Sequence, residues 1–311
     1  MKAVRVVAPG FLTTVQDLGR PGHAAAGVSA SGAADPLAHR IGNRLVGNRD
    51  NAPGLEMTMI GGSFHFEADV IFALAGGDSR ARLGDRAVQP FTPCRAHAGD
   101  TLVCGPLRGE AHASLCLRGG IAVPLLFGSA STHLQTGMGG FEGRALRAGD
   151  RLLLGAPGEG APFGRAVDPS QLPGYRSGEP FRATEGPQAS WFAPETRASF
   201  YDTPWQVAEA CDRMGIRLLG PSIRLATPRE LATEGVLSGA IQVPPGGSPI
   251  VLFVEHQTTG GYPKLANVIA ADLARLGRLR PRDVMRFEPI AIEAAWALLR
   301  EQEDALDALF V

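Results

Sequence analysis

The residues best suited to chemistry lie in one polar loop, Gln257–Lys264, whose sequence is QTTGGYPK. The loop combines an amide, two hydroxyls, two glycines, a phenol and a positive charge. Glycines let the backbone approach a ligand closely, and the polar donors suit a carboxylate, carbonate or phosphate. Either the loop binds such an anion, or it is a tight turn whose threonines cap the backbone. Local chemistry leaves both interpretations open.

The segments on either side of this loop predict how it is held. The apolar run Pro249–Val254 is short and β-branched, which indicates a buried strand. After the loop, apolar residues recur at helical spacing and Pro263 fits a first helical turn, where free N–H groups attract anions. The sequence therefore predicts a helix that ends at Gly277 and buries Leu265, Val268, Ile269, Leu273 and Leu276.

A second junction of similar composition lies near the N-terminus, where SASGAADP spans 29–36. Asp35 is a predicted N-cap with Pro36 at the first helical position, and the helix ends at Gly47-Asn48. Ser31 and Asp35 are candidate substrate-binding residues, with simple capping as the alternative for both. The helix is predicted to bury Leu37, Ile41 and Leu45.

Charged residues elsewhere offer further candidates. In the segment QDLGR, Arg20 can hold a substrate carboxylate in a bidentate way, or form a surface ion pair with Asp17. Asp212 and Arg213 present the same two alternatives. His133, in a segment rich in hydroxyls and glycines, can shuttle protons or be merely solvated.

The cysteines and nearby histidines do not indicate a metal site. Their spacing lacks the tight pairs of structural zinc sites, and two of the thiols lie in strand-like runs where they pack as small hydrophobes. The sequence therefore predicts no metal and reduced thiols. The residues considered are Cys94, His97, Cys104, His112 and Cys116.

Composition excludes several classes of protein. The chain has 311 residues, 30 basic against 31 acidic, so it has no electrostatic footprint for nucleic acid or an anionic membrane. Its only lysines are Lys2 and Lys264. No apolar run is long enough to span a bilayer, and the N-terminus lacks a signal-peptide core, so we expect a cytoplasmic protein.

With 40 glycines and 24 prolines, the chain is typical of short strands joined by tight turns, a mainly β barrel or sandwich protein. Besides the two helices above, a short one is predicted at Thr203-Pro204 and a C-terminal one over 290–310, with Ile292, Trp296 and Leu299 on one side. The predicted domains are 1–157 and 181–311, joined by a Gly- and Pro-rich linker, 158–180. Predicted strands are Met1–Val7, Leu55–Met59, Ser63–Phe66, Val70–Ala75, Thr101–Cys104, Ala113–Val123, Arg151–Leu154, Phe181–Thr184, Arg217–Leu219, Ala240–Val243, Pro249–Val254 and Val284–Pro289.

Several blocks of the sequence together carry a family resemblance that spans nearly the whole chain. QTTGGYPKLANVIAADLARLG closely resembles a signature of the family of 5-oxoprolinase C subunits, also called allophanate hydrolase subunit 2 or biotin-dependent carboxyltransferase. The resemblance implies two β-barrel subdomains of cyclophilin-like type. The other blocks, in the family's order, are TTVQDLGRPG, GVSASGAADPLAHRIGNRLVGN, GSASTHLQTGMGGFEGRALRAGD, DRMGIRLLGP and EGVLSGAIQVPPGGSPIVL.

The resemblance implies the C subunit of an ATP-dependent 5-oxoprolinase, a hydrolase that opens the lactam of 5-oxoproline to L-glutamate together with subunits B and A. The chain has no GxxxxGK[ST] loop, no biotin-attachment site and no GxSxG elbow, so ATP is expected to be used by the complex and biotin is not carried by this chain. In this setting Lys264 would neutralise an anion, Gln257 and Tyr262 would orient the substrate, and Arg20 would take its carboxylate. The anion or oxyanion would be bound by Thr258, Thr259, Gly260 and Gly261.

Two other functions fit the same resemblance. One is the carboxyltransferase subunit of a urea-carboxylase-like, biotin-dependent system, in which the loop would hold carboxybiotin or the accepting amide. The other is a regulatory binding protein that antagonises a kinase inhibitor and needs no turnover. Turnover with the partner subunits separates enzyme from regulator, and biotin dependence separates the two enzymes.

Overall fold

The computed structural model describes residues 2–158, 160–176 and 178–311, and the chain divides into two compact units. Unit 1 contains the chain up to Arg20, Ser31–Pro169 and Leu309–Val311. Unit 2 contains Pro21–Ala30 and Ser170–Ala308. Neither unit is one continuous segment of the chain.

The chain passes from unit 1 to unit 2 after Pro169, within the predicted linker, 158–180. Two residues of that linker, Glu159 and Ser177, lie outside the described residues, as does Met1 at the start of the first predicted strand.

Among the residues that the structure describes, unit 1 contains eleven strands and one α-helix. Its antiparallel strands form a six-stranded sheet in the order β11-β1-β4-β9-β6-β7 and a five-stranded sheet in the order β2-β3-β10-β5-β8. The elements are β1 (Ala3–Ala8), β2 (Leu12–Gln16), α1 (Pro36–Leu45), β3 (Gly54–Thr58), β4 (Ser63–Phe66), β5 (Val70–Asp78), β6 (Arg82–Leu83), β7 (Arg86–Ala87), β8 (Cys94–Ala96), β9 (Thr101–Val103), β10 (Arg108–Leu117) and β11 (Arg151–Leu153).

Helix α1 confirms the sequence-based expectation in detail. The Asp35 carboxylate accepts a hydrogen bond from the Ala38 N–H at 2.9 Å, Pro36 occupies the first turn, and the helix ends just before Gly47, whose φ is +74°. The predicted core residues of the helix, Leu37, Ile41 and Leu45, are buried.

A glycine lets α1 pack closely on the sheet. A Cβ at Gly42 would lie 2.7 Å from Sγ of Cys116 in β10, closer than real contacts allow. Because Cys116 is fully buried and its strand is paired on both sides, neither element can easily withdraw. Gly42 therefore fixes how near the helix lies to the strand.

Unit 2 is built around one large sheet of eight strands in the order β20-β13-β14-β17-β16-β19-β12-β21, with β15 and β18 forming a separate pair. The elements are β12 (Phe181–Glu185), α2 (Pro194–Asp202), β13 (Trp205–Val207), β14 (Gly215–Leu219), β15 (Glu234–Gly235), β16 (Ala240–Gln242), β17 (Ile250–Leu252), β18 (Thr259–Gly260), β19 (Lys264–Val268), α3 (Leu273–Leu276), β20 (Val284–Met285), β21 (Phe287–Pro289) and α4 (Ile292–Ala308).

The two edges of this sheet are almost joined. Strands β20 and β21 lie at opposite edges, yet only Arg286 separates them in sequence, so the sheet must curl into a nearly closed barrel. Aromatic side chains fill part of its core: the rings of Phe200 and Phe287 stack at 4.7 Å, and Trp205 is buried beside them. The mainly β class is therefore confirmed, and the cyclophilin-like type stays a prediction.

The prediction of a helix directly after the polar loop is wrong for the first part of that segment. Lys264–Val268 is the strand β19, and only a 3-10 turn at Ala270–Asp272 and the short α3 follow, ending just before Gly277 as expected. Strand β19 lies between β16 and β12, and four of its five residues are buried. A strand covered on both faces has apolar residues at consecutive positions, so its pattern also fits a helical period.

Two other helix predictions need correction. The helix expected at Thr203-Pro204 lies earlier in the chain, as α2. It is followed by β13, in which Trp205 and Val207 are buried and the residue between them is exposed. The C-terminal helix is shorter than predicted, and the side expected to be apolar is not its buried side: Ile292 and Trp296 are 50% and 59% exposed. The residues it buries are Ala295, Gln302 and Leu306.

None of the helices in the described parts of the chain combines the length and the apolar character needed to cross a bilayer.

We expect Gly42→Ala to lower the free energy of unfolding by about 1–3 kcal/mol, because the added methyl group overpacks the contact between α1 and Cys116. Chemical denaturation of the two proteins measures the difference. Gly164→Ala is the matched control, since a Cβ there meets no atom within 4 Å. Equal destabilisation by both substitutions would show that the close contact is not what constrains residue 42.

Candidate functional site

The polar loop of unit 2 is held at both ends by β-structure. Residues Thr259–Gly260 of the loop form β18, which pairs antiparallel with Glu234–Gly235 of β15. The N–H of Val236 extends this pairing to the carbonyl of Thr258 at 3.1 Å. The loop then leads directly into β19, so no helix N-terminus is available to attract an anion.

Lys264 is the buried cation of this loop. Its side chain is 4% exposed, and its ammonium forms an ion pair with Glu234, which is 41% exposed. Gln188 supports both partners: its Oε1 accepts from the Lys264 N–H at 3.1 Å, and its Nε2 donates to the Glu234 carboxylate at 2.9 Å. Hydrogen bonds from Lys264 and Gln188 lower the pKa of Glu234 below its ordinary value, so the ion pair persists into mildly acidic solution.

Gln242 lies opposite Lys264 in the neighbouring strand β16. Its side chain is 1% exposed, and its Oε1 accepts from Nε2 of Gln257 at 3.4 Å. Its own Nε2 has no hydrogen-bond partner among the described residues. A buried donor without a partner costs about 1–3 kcal/mol, and a ligand oxygen would satisfy it.

Gly260 leaves space for the side-chain amide of Gln242. A Cβ at position 260 would lie 2.6 Å from Nε2 of Gln242, and 3.5 Å from Nε2 of Gln257. The glycine of the predicted loop is therefore required by a close approach of backbone to a side-chain amide. Gln188, Glu234, Gln242, Gln257 and Lys264 are called the unit 2 polar cluster below.

The other predicted residues of the loop are nearer to solvent. Thr259 is exposed, Tyr262 is 44% exposed, and Thr258 and Gly261 are half-buried. The loop thus combines an accessible surface with a buried amide and a buried ammonium. Such an arrangement suits a small ligand that carries a carbonyl or carboxylate oxygen. The catalytic and binding roles given to these residues stay predictions.

In unit 1, Asp17 organises two distant segments. Its carboxylate accepts hydrogen bonds from the Gly19 N–H at 2.8 Å, Oγ of Ser129 at 2.6 Å, the Ala130 N–H at 2.6 Å and Oγ of Ser131 at 2.5 Å. Asp17 is 4% exposed, and both serines are fully buried. These bonds satisfy the charge completely, so the carboxylate holds the structure together.

Arg20 belongs to the same arrangement. Its guanidinium is buried and donates to the carbonyls of Ser131 and, at 3.4 Å, Leu126. The alternative of a surface ion pair with Asp17 is wrong, because both residues are in the interior. The contacts of Arg20 fix the backbone of 126–131, and binding of a substrate carboxylate by this residue stays a prediction.

Ser31 and Asp35 differ in what surrounds them. The Asp35 carboxylate caps α1, as the capping alternative predicted. Ser31 has a φ of +55°, is 6% exposed, and its Oγ has no hydrogen-bond partner among the described residues. The next residues lie against the QDLGR segment, since the Ala33 N–H donates to the carbonyl of Asp17 at 2.8 Å. Ser31 is therefore the candidate of this junction whose hydroxyl remains available.

Other titratable candidates have structural partners. Nε of Arg213 lies 2.6 Å from the carboxylate of Glu255, with both side chains buried, while Asp212 accepts from the N–H groups of the next turn. His133 is 4% exposed and its Nδ1 lies 2.8 Å from Oγ1 of Thr136, so the expectation of a merely solvated histidine is wrong.

The cysteines have the surroundings expected of small hydrophobic residues. Burial raises the pKa of Cys104 to about 12 and raises that of Cys116 as well, which keeps both thiols protonated. Within residues 2–158, 160–176 and 178–311, no group of three or more His, Cys, Asp or Glu side chains is arranged to hold a metal ion.

Sequence reasoning missed three members of the unit 2 polar cluster: Gln188, Glu234 and Gln242. A glutamine inside the apolar run Ala240–Val243 was an available signal, because a polar residue in a buried strand needs a partner. Gln188 lies 76 positions before Lys264, and no local pattern connects the two.

We expect Asp17→Asn to lower the free energy of unfolding of the protein by about 2–4 kcal/mol. The asparagine amide lacks the negative charge of the carboxylate, and its N–H₂ group would face N–H and O–H donors. Chemical denaturation is the measurement, and Asp85→Asn, at an exposed carboxylate, is the control. A change as small as that of the control would mean that the Asp17 carboxylate does not hold the two segments together.

Comparisons with known proteins identify the family of the chain. Residues 26–289 match the family described as carboxyltransferase domain, subdomain A and B. The chain is 38% identical to the C subunit of the 5-oxoprolinase of Escherichia coli over 309 residues, which is 98% of this chain and 97% of the relative.

Larger proteins contain a similar region. The urea amidolyase of Lachancea kluyveri is 34% identical over 99% of this chain, but the match covers 18% of that protein. The crystal structure of the K. lactis urea amidolyase superimposes with a TM-score of 0.92 at 32% identity, covering 99% of this chain and 20% of that one. The chain therefore belongs to the family of carboxyltransferase domains with subdomains A and B, and two relatives that it matches over nearly their full length are 5-oxoprolinase C subunits.

Proposed function

We propose that this chain is the C subunit of an ATP-dependent 5-oxoprolinase, which opens 5-oxoproline to L-glutamate together with subunits A and B. Similarity to two C subunits of that enzyme over nearly the full lengths of both chains supports the assignment. The observation that carries it is the buried, unpartnered Nε2 of Gln242, a residue that lies opposite Lys264 in the neighbouring strand. Turnover requires the complex, and this chain supplies part of the site.

Opening a lactam requires hydrogen-bond donors at its carbonyl oxygen. Water adds to the carbonyl carbon, negative charge develops on the carbonyl oxygen, and the C–N bond then breaks. The water oxygen becomes part of the new carboxylate, and the ring nitrogen, once protonated, becomes the amine of glutamate. We infer that Nε2 of Gln242 and the Lys264 ammonium stabilise the developing charge, because donors fixed before the reaction need no reorganisation.

The remaining residues of the loop act on the ligand from its accessible side. The hydroxyls of Thr258 and Thr259 bind the anionic group, and Gln257 and Tyr262 orient the ring. Gly260 and Gly261 let the backbone approach. Glu234 keeps the ammonium of Lys264 in place before the substrate arrives. Within unit 1, the Ser31 hydroxyl stays a candidate for substrate binding, and Arg20 acts through the backbone of 126–131.

The unit 2 polar cluster does not fit the triphosphate of ATP. It holds a single cation, already paired with Glu234, and the loop leads into a strand without a helix N-terminus to cradle phosphates. No step of this mechanism is therefore assigned to ATP on these residues. The biotin of the alternative reaction would also be carried by another polypeptide or domain.

We expect Lys264→Met to lower kcat/KM for ATP-dependent glutamate release by about 10²–10³-fold in the complex reconstituted from all three subunits, because an oxyanion loses its charged donor. Methionine keeps the buried stem of the side chain and therefore limits the structural damage. The measurement is glutamate formation from 5-oxoproline, with each of the three polypeptides omitted in turn.

Lys2→Met is the matched control, since Lys2 is exposed and is the only other lysine of the chain. It should leave both kcat and KM unchanged. Full activity of a folded Lys264→Met protein would remove Lys264 from the mechanism, and activity in the absence of this chain would overturn the assignment as a whole.

A second candidate function is the carboxyltransferase step of a urea-carboxylase-like system. The superposition with the K. lactis urea amidolyase over 99% of this chain favours it. Here the same buried donors would hold the carbonyl oxygen of the accepting amide. Biotin-dependent carboxylation of urea, with no glutamate release from 5-oxoproline, would decide for this candidate. Binding to a partner without any turnover would instead favour a regulatory protein.

A further inference from the structure

Unit 1 contains a cavity of about 250 Å³ that neither reaction uses. It lies where β5 ends, where β6 runs beside β9, and where β10 begins. Three arginines line it, together with a buried serine and two apolar residues. The lining residues are Ser79, Arg80, Arg82, Val103, Gly105, Pro106 and Arg108.

The cavity has a concentrated positive charge. No ion pair joins Arg80, Arg82 or Arg108 to a carboxylate in the described parts of the chain. The guanidinium of Arg82 donates to the backbone carbonyl of Asp85. No acidic residue lines the cavity. All three arginines are exposed. Because arginine stays charged at all physiological pH values, three guanidinium groups around one cavity favour binding of an anion.

The backbone holds the three arginines in fixed positions. Arg82 is paired with Val103 in the sheet, and Arg108 lies opposite Asp78. Arg80 has a φ of +48°, and its N–H donates to the Asp78 carboxylate at 2.7 Å. The backbone positions of the three arginines are therefore fixed around one cavity.

We infer that this cavity binds a small oxyanion with more than one negative charge, either of phosphate type or a dicarboxylate. Guanidinium groups form bidentate hydrogen bonds with both kinds of anion. The volume corresponds to about eight water molecules of about 30 Å³ each, which suits inorganic phosphate, pyrophosphate or a small dicarboxylic acid. The inference stands on unit 1 alone and does not depend on the proposed reaction.

Isothermal titration calorimetry of the full chain at low salt, with pyrophosphate, inorganic phosphate and succinate in separate titrations, tests this site. We expect saturable binding of at least one of them, weakened by added salt because the attraction is electrostatic. Arg80→Gln and Arg108→Gln should each raise the Kd about tenfold or more. Arg49→Gln, at an exposed arginine that does not line the cavity, is the matched control and should leave the Kd unchanged.

The titrations also distinguish the two kinds of anion. Binding of pyrophosphate or phosphate alone would identify a phosphate-type ligand, and binding of succinate alone a dicarboxylate. If Arg80→Gln or Arg108→Gln fails to fold, Arg82→Gln is measured in its place. The inference is overturned if no anion binds, if the cavity variants bind as the unmodified protein does, or if only an acidic polypeptide such as polyglutamate binds. Lys264→Met should leave this binding intact, which separates it from the proposed active site.

Discussion

The position of β19 between β16 and β12 is the constraint on which the candidate site depends. It places Lys264 in the interior of unit 2, where an unpaired ammonium would be costly. Glu234 compensates that charge, and Glu234 is available because β15 pairs with β18 of the polar loop. The conformation of the loop, the ion pair and the buried strand are therefore mutually dependent.

Buried polar groups in this protein fall into two kinds. The carboxylates of Asp17, Glu255 and Asp272 each accept hydrogen bonds from fixed donors, with Arg182 meeting Asp272 at 2.5 Å. Removing one partner would leave the other uncompensated, which is why such groups are structural. Nε2 of Gln242 and Oγ of Ser31 have no partner among the described residues, so both groups can still bind a ligand atom.

Motif blocks far apart in sequence can be related through a shared contact. The QDLGR segment and the residues after Gly128 both belong to the family resemblance, and the structure shows that they bind each other through Asp17, Ser129 and Ser131. Arg20 reinforces this contact by holding the carbonyl of Ser131. Much of the motif that looks suited to chemistry therefore serves to assemble unit 1.

The sequence by itself determined the mainly β class, the family, helix α1 with its Asp35 cap, and the polar loop as the candidate site. These features depend on local turn chemistry, capping and composition, which act over a few residues. Tertiary structure alone decided that Lys264–Val268 is a strand, that Arg20 is buried, and that Gln188, Glu234 and Gln242 surround Lys264. A strand buried on both faces has no period that distinguishes it from a helix, and a hydrogen bond across 76 positions leaves no local trace in the sequence.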